Sequence, residues 1–262
     1  MTLFRQHFRA ELGALLGWAA GLGLYAYFIA TFYANVAKER TALEEYMKNL
    51  PPSLKVIFGN EVSLATLAGW LQVEIYSYLP LLLAIYAAIA VAGIISREID
   101  RGTAEFLFGL PVGRIRLVLA RFAAFALNVA LLHFTVYAAA WAGAARIGEA
   151  FPFDASLRVV AMSYLAVLAV SALLLLTSVF IPDYSRALFT GLGISVGLYV
   201  FSMALRAAGK EALLPWLIFG RYDAAALVRT GANVVDAAVL AGYTVVLVAA
   251  AVWAFSRRDL RL

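Results

Sequence analysis

Of the 262 residues, 64% are hydrophobic and 14% are charged, with a mean hydropathy of +0.87, where a soluble domain carries about 25% charged residues. That composition excludes an ordinary soluble domain and requires spans that lipid can cover. There is no cysteine, and His7 and His133 are the only histidines, so disulfides, thiolate nucleophiles and cysteine or histidine metal clusters are excluded within one chain.

The opening stretch LFRQHFRAELGALL puts Leu3, Phe4, Phe8, Leu12 and Leu15 near one face at helical spacing, which predicts an N-terminal interfacial helix leading into the membrane. Charge-free runs follow at Leu12–Ala37, Ile75–Ser96, Phe122–Ala145, Val159–Pro182, Ala187–Leu205 and Ala237–Ser256. Each approaches the roughly 20 residues that cross the hydrocarbon as a helix. The chain therefore reads as an all-α integral membrane protein, one transmembrane domain over 1–262, with spans near 12–35, 75–96, 117–143, 159–181, 187–205 and 237–256. The first run exceeds the apolar stretch of about 7–15 residues in a secretory signal, which favours an uncleaved span.

Between the first two spans, residues 38–74 carry helix-length patterns broken at Pro51-Pro52, so an external helical hairpin is expected. Residues 97–116 form a charged loop. Residues 206–236 contain ALLPWLIFG, apolar but too short to cross, and predict a re-entrant or interfacial segment before the last span.

Placing both termini in the cytoplasm gives the inside segments Arg5, Arg9, Arg97, Arg101, Arg114, Arg116, Arg121, Arg186, Arg257, Arg258 and Arg261 against Glu11, Glu98, Asp100, Glu105, Asp183 and Asp259. The excess of basic residues in these short segments favours that orientation. The net charge of +5 is thus a set of membrane anchors, and no nucleic-acid partner is implied.

Several motifs have competing readings. Gly13, Gly17 and Gly21 are spaced for close helix packing in lipid, within the chain or across a dimer, and Gly193 and Gly197 suit the same role. The last two also bracket Ser195 in a G-x-S-x-G pattern, but a nucleophile elbow needs a strand-turn-helix setting and a nearby base. No histidine follows Ser195, as one would in a rhomboid-type intramembrane protease, so no catalytic residue is assigned. Asn128 and His133 are the most polar groups deep in a run and read as interhelical hydrogen-bonders, with substrate contact as the other role. Ion-coupled carriers use intramembrane carboxylates, lysines or arginines, and none occupies the middle of a predicted span. Gly209-Lys210 is followed by Glu211, so a phosphate-binding Walker A loop is lacking. Any ATP hydrolysis belongs to a partner.

The charged loop reads SREIDRGTAEFLFGLPVGRIR. Ile99, Phe106, Leu107 and Leu110 fall near one helical face, with Arg97, Arg101 and Glu105 spaced four apart on another. Pro111 ends the helix. The result is a short amphipathic helix at the cytoplasmic surface, able to transmit a push, or a lipid anchor with Arg114, Arg116 and Arg121 on headgroups.

Glu98-x-x-x-Gly102-Thr103-x-Glu105 followed by Pro111-Val112-Gly113-Arg114 resembles the loop signature of the ATP-binding-cassette type-2 exporter permeases, with Gly113 where serine is usual and Arg121 where lysine is common. The six spans, the segment before the last span and the basic tail FSRRDLRL fit the same family. The resemblance implies a permease subunit in a prokaryotic plasma membrane, forming a homo- or heterodimer and binding two ATPase subunits that carry ATP and Mg, with no cofactor on this chain. Glu98, Arg101, Gly102, Thr103, Glu105, Pro111 and Arg114 would form the coupling helix seated on the ATPase. Cargo would pass between permease halves along apolar walls supplied with Tyr78, Tyr86 and Tyr137, which suits amphipathic, drug-like or lipid-like molecules. An intramembrane serine protease and a non-transporting membrane scaffold or immunity protein are the alternative readings.

Overall fold

The computed structural model describes residues 2–39, 64, 66–100 and 113–257 with positions 41, 45 and 49, the side chains of 2, 3, 6, 7, 98–100 and 114 excepted. Most of the expected external hairpin and residues 101–112 lie outside the described residues.

Among the described residues the chain is all-helical, and six helical stretches are long and apolar enough to cross a membrane. The helices are α1 (Thr2–Val36), α2 (Leu67–Leu71), α3 (Leu79–Asp100), α4 (Arg114–Ile147), α5 (Phe153–Phe180), α6 (Tyr184–Ala207), α7 (Ala224–Arg229) and α8 (Val234–Arg257). The expected interfacial helix is continuous with the first span, since α1 runs 35 residues without a break. That is about 52 Å, well beyond a hydrocarbon core of about 30 Å.

The second crossing is helical from Leu67 rather than from 75, and is built in two pieces. Thr66 caps α2 by accepting from the Gly69 N–H at 3.1 Å, and a single π-helical turn, Gln72–Tyr76, joins α2 to α3. Pro80 explains the break: a proline ring clashes with the carbonyl four residues earlier and offers it no N–H. Here that carbonyl belongs to Tyr76. The chain widens instead, with the Ser77 N–H and hydroxyl both donating to the Gln72 carbonyl, at 2.9 and 2.8 Å.

The core is organised around α5, which packs against α3, α4 and α8. Its Ser171 and Ser178 are buried and donate to carbonyls of their own helix, Val167 at 2.6 Å and Leu175 at 2.8 Å, so they bring no unsatisfied hydroxyl to the interior. The most extensive helix pair is α1 with α4. Small residues allow it: Ala26, Ala30, Ala140 and Ala144 are fully buried, and a Cβ added at Gly143 would lie 2.6 Å from the Ala30 Cβ. Between α3 and α6, Gly191 faces Ala88 in the same manner, at 3.4 Å. The outward faces of α1, α6 and α8 carry large apolar groups such as Phe28, Phe189 and Trp253, as lipid-facing surfaces do.

Helix ends follow local chemistry. Gly148 takes a positive φ of 75° after α4, with the Glu149 N–H reaching the Ala144 carbonyl at 3.1 Å. Gly209 ends α6 similarly, at φ 67°. Asp183 caps α6 by accepting from the Arg186 N–H at 2.6 Å. The ALLPWLIFG stretch forms 3₁₀ turns at Glu211–Trp216 and Phe219–Arg221 rather than an α-helix.

Candidate coupling site

The charged loop departs from the end of α3 and returns at the start of α4, so the last two turns of α3, from Ile94 to Asp100, are its mechanical root. Four other spans touch those turns through polar contacts. The buried Arg121 of α4 donates to the Ile94 carbonyl at 2.8 Å. Buried Ser96 donates to the Ile181 carbonyl at 2.7 Å, closing the end of α5. Arg97 donates to the Tyr184 hydroxyl of α6 at 2.9 Å, its guanidinium 4.7 Å from the centre of that ring. Arg97 also lies 3.8 Å from the Glu11 carboxylate of α1. These contacts place the start of α1, the end of α3, the start of α4, the end of α5 and the start of α6 at one end of the bundle.

Of the residues expected on the coupling helix, Glu98 closes α3 and Arg114 opens α4. Arg101, Gly102, Thr103, Glu105 and Pro111 lie outside the described residues. Arg121, counted above among possible headgroup ligands, points inward and is 8% exposed, because the Ile94 carbonyl draws its guanidinium between helices. Arg116 is exposed.

The residues expected along a substrate path do not share one surface. Asn128, His133 and Tyr86 are buried within the bundle, and Tyr78 is exposed. Tyr86 stacks on Phe125 at 6.0 Å and meets the edge of Trp18 at 5.6 Å. Tyr137 packs edge-on against Phe151 at 5.4 Å. His133 bridges α4 and α5: its Nδ1 lies 2.9 Å from the Val129 carbonyl and its Nε2 3.0 Å from the Ser163 hydroxyl. A carbonyl only accepts, so Nδ1 carries the proton and Nε2 accepts from Ser163. The Ser195 hydroxyl is buried in α6 with no hydrogen-bond partner among the described residues, and no base sits on it. Gly13, Gly17, Gly21, Gly193 and Gly197 have nothing within 4 Å of a Cβ position, so none makes a close packing contact among the described residues.

The opposite end is closed by the segment between α6 and α8. Arg206 donates to Asp223 and to the carbonyls of Gly220, at 2.9 Å, and Tyr222, at 2.8 Å, while Arg221 pairs with Asp236 at 2.6 Å. The Tyr222 hydroxyl donates at 2.5 Å to the Tyr76 carbonyl that Pro80 leaves without a helical donor, and Tyr199 serves the Ser77 carbonyl at 2.8 Å. Gln72, Ser77, Tyr199, Arg206 and Tyr222 line a cleft of about 80 Å³ there.

Arg97, Glu11 and Tyr184 at the loop end and Arg206, Tyr222 and Tyr76 at the far end were not singled out as site residues from sequence. Pro80 four residues after Tyr76 was the one local signal for the second group. Nothing local signals the first, whose members are far apart in the chain.

Against this geometry, a family model described as ABC-2 family transporter protein matches residues 1–260. The chain belongs to the ABC-2 transporter family. It is therefore a multi-pass permease subunit of an ABC transporter, a class that works with an ATPase partner. No curated protein matches the chain in sequence.

Proposed function

We propose that the chain is the membrane half of an ATP-driven exporter that moves an amphipathic, drug-like or lipid-like molecule out of the cytoplasm. Two permease copies would pair and bind two ATPase subunits, each carrying ATP and Mg. Residues 98–114 would dock on the ATPase, with Glu98, Arg101, Thr103 and Glu105 making contact, Gly102 allowing close approach and Pro111 fixing the exit turn. Both termini would then be cytoplasmic. The carrying observation is that this loop, which bears the signature Glu98 to Arg114, springs from the last two turns of α3, where four other spans make polar contacts at Ile94, Ser96 and Arg97. A push delivered there reaches much of the bundle. Amphipathic cargo is favoured by apolar faces interspersed with tyrosines, and by the lack of a spanning carboxylate chain that an ion would need.

Native mass spectrometry of the protein drawn from its own membranes in mild detergent tests this reading. The expected result is two copies with two ATPase subunits, lost when the charges at Glu98 and Arg101 are reversed. Recovery of the chain alone, with intact ATPases from the same cells bound elsewhere, would refute it and leave the loop as a lipid anchor.

A further inference from the structure

We infer that Arg97 is a positioning residue that ties the loop ends of α1 and α6 to the last turn of α3, so that these two helices follow the loop when it moves. The inference rests on the coupling reading above, but its geometry stands on described residues alone.

The contacts on the last two turns of α3 fall into two kinds. Those from α4 and α5 engage backbone carbonyls in the interior, through Arg121 and Ser96, and breaking them would strand buried polar atoms. The apolar stretches of α4 and α5 are 50% and 67% buried. Those of α1 and α6 are only 22% and 28% buried, although α1 packs along α4 and α6 along α3. Each meets the end of α3 through the same guanidinium, and the groups involved are partly exposed, Arg97 at 28% and Glu11 at 17%. Contacts of this kind can be remade without orphaning a buried group, as a moving joint requires.

The guanidinium is held in place by its own helix. Arg97 folds back one turn toward the N-terminus of α3 and lies over Gly93, where an added Cβ would stand 3.1 Å from Cζ and 3.2 Å from Nη2. Glycine at 93 therefore makes the seat from which Arg97 reaches Glu11 on one side and stacks on Tyr184 on the other. A lysine has neither the planar fork nor the flat face that this double contact uses. Rotation of the last turn of α3, driven from residue 98 onward, would carry α1 and α6 with it.

The chain has no cysteine, so it accepts spin labels at chosen positions. Arg9→Cys on α1 and Ser185→Cys on α6 are both exposed sites. Double electron–electron resonance between them, on the full chain in lipid nanodiscs with its co-purified ATPase, reads the spacing of the two helix ends. Single-cysteine controls remove distances across a dimer. The expected result is one narrow distance population in the parent and a broadened one with a longer component in both Arg97→Ala and Gly93→Ala, not restored by Arg97→Lys.

Gly93→Ala keeps the charge and improves helix propensity, so its thermal stability is retained while the distance changes, an outcome that a merely structural role would not give. Parent-like distances in Gly93→Ala would overturn the inference, whatever Arg97→Ala does. With ATP added, the parent distance shifts, and in the two variants hydrolysis continues without that shift. Hydrolysis accompanied by an unaltered shift would overturn it too. Failure of any ATPase to co-purify would refute the proposed function, yet the resting distances would still decide the role of Arg97.

Discussion

Replacing Tyr222 by Phe removes one hydroxyl and leaves the ring, so no cavity accompanies the loss. The atom deprived is the Tyr76 carbonyl, which accepts from Tyr222 at 2.5 Å and whose helical donor position is occupied by Pro80. A buried group left unsatisfied costs about 1–3 kcal/mol, whereas hydrogen bonds between membrane helices average about 0.6 and reach about 1.7 kcal/mol. The two ranges overlap at about 1–2 kcal/mol, which is the destabilisation expected for Tyr222→Phe. That cost arises from Pro80, whose part can be tested separately. Pro80→Ala restores an N–H four residues after Tyr76, so Tyr222→Phe should cost less in that background. A double-mutant cycle on reversible unfolding in mixed micelles measures the difference. A coupling of about 1 kcal/mol is expected. Strict additivity would show that the proline does not orphan this carbonyl, and the account of the broken second span would fail.

Gly143→Ala should destabilise the α1–α4 pair by about 1–3 kcal/mol through overpacking, because its Cβ would stand 2.6 Å from Ala30 and 2.9 Å from the Tyr27 carbonyl. Gly17→Ala and Gly197→Ala, with open space around them, should leave the thermal midpoint in detergent unchanged or raised; the opposite ranking would refute the crossing described. Arg206→Met should cost about 2 kcal/mol, since the Gly220 and Tyr222 carbonyls and Asp223 all lose a donor. Asp223→Asn keeps an oxygen for the Ala226 N–H and should cost about 1 kcal/mol or less, its partly exposed charge being screened; equal losses would show that charge alone matters. Burial, followed by the nearby Tyr199, Tyr76 and Asp223, raises the Tyr222 phenol well above its ordinary value of 10.0. The stability of the neutral phenol is full below that ordinary value and is lost progressively as pH climbs from it through the raised one. Tyrosinate absorbance of the parent minus that of Tyr222→Phe should therefore show no phenolate forming near pH 10, and its appearance there would refute the burial of this side chain.

Spans were legible wherever charge marked both ends. The predicted 117–143 lies inside the observed Arg114–Ile147, the surplus being end turns that carry Arg114, Arg116 and Arg146. Caps were legible in principle at Gly148, Gly209 and Asp183, where the residue type alone dictates the backbone. The start of the second crossing was hidden because Glu74 interrupts its charge-free run, although the chain is already helical from Leu67. The glycines at 13, 17 and 21 carry the visible glycine spacing, whereas among the described residues the close contact between α1 and α4 falls at Gly143, which has an alanine rather than a glycine four residues before it. Arg97 read as one charge on an amphipathic loop. Its inward turn depends on Gly93, one helical turn away, and on Glu11 and Tyr184, which no periodicity couples to it. The site residues from Arg101 to Pro111 rest on the motif alone.

The pairing of α1 with α4 also constrains how the chain is made. Ala30 is covered by Gly143, which leaves the ribosome more than a hundred residues later. At about 5–20 residues per second, α1 waits roughly 6 to 20 s in the bilayer before its own small-residue face can be covered. During that wait the groove is open to any passing helix, and the insertion machinery or a chaperone in the membrane must shelter it until the third long helix arrives.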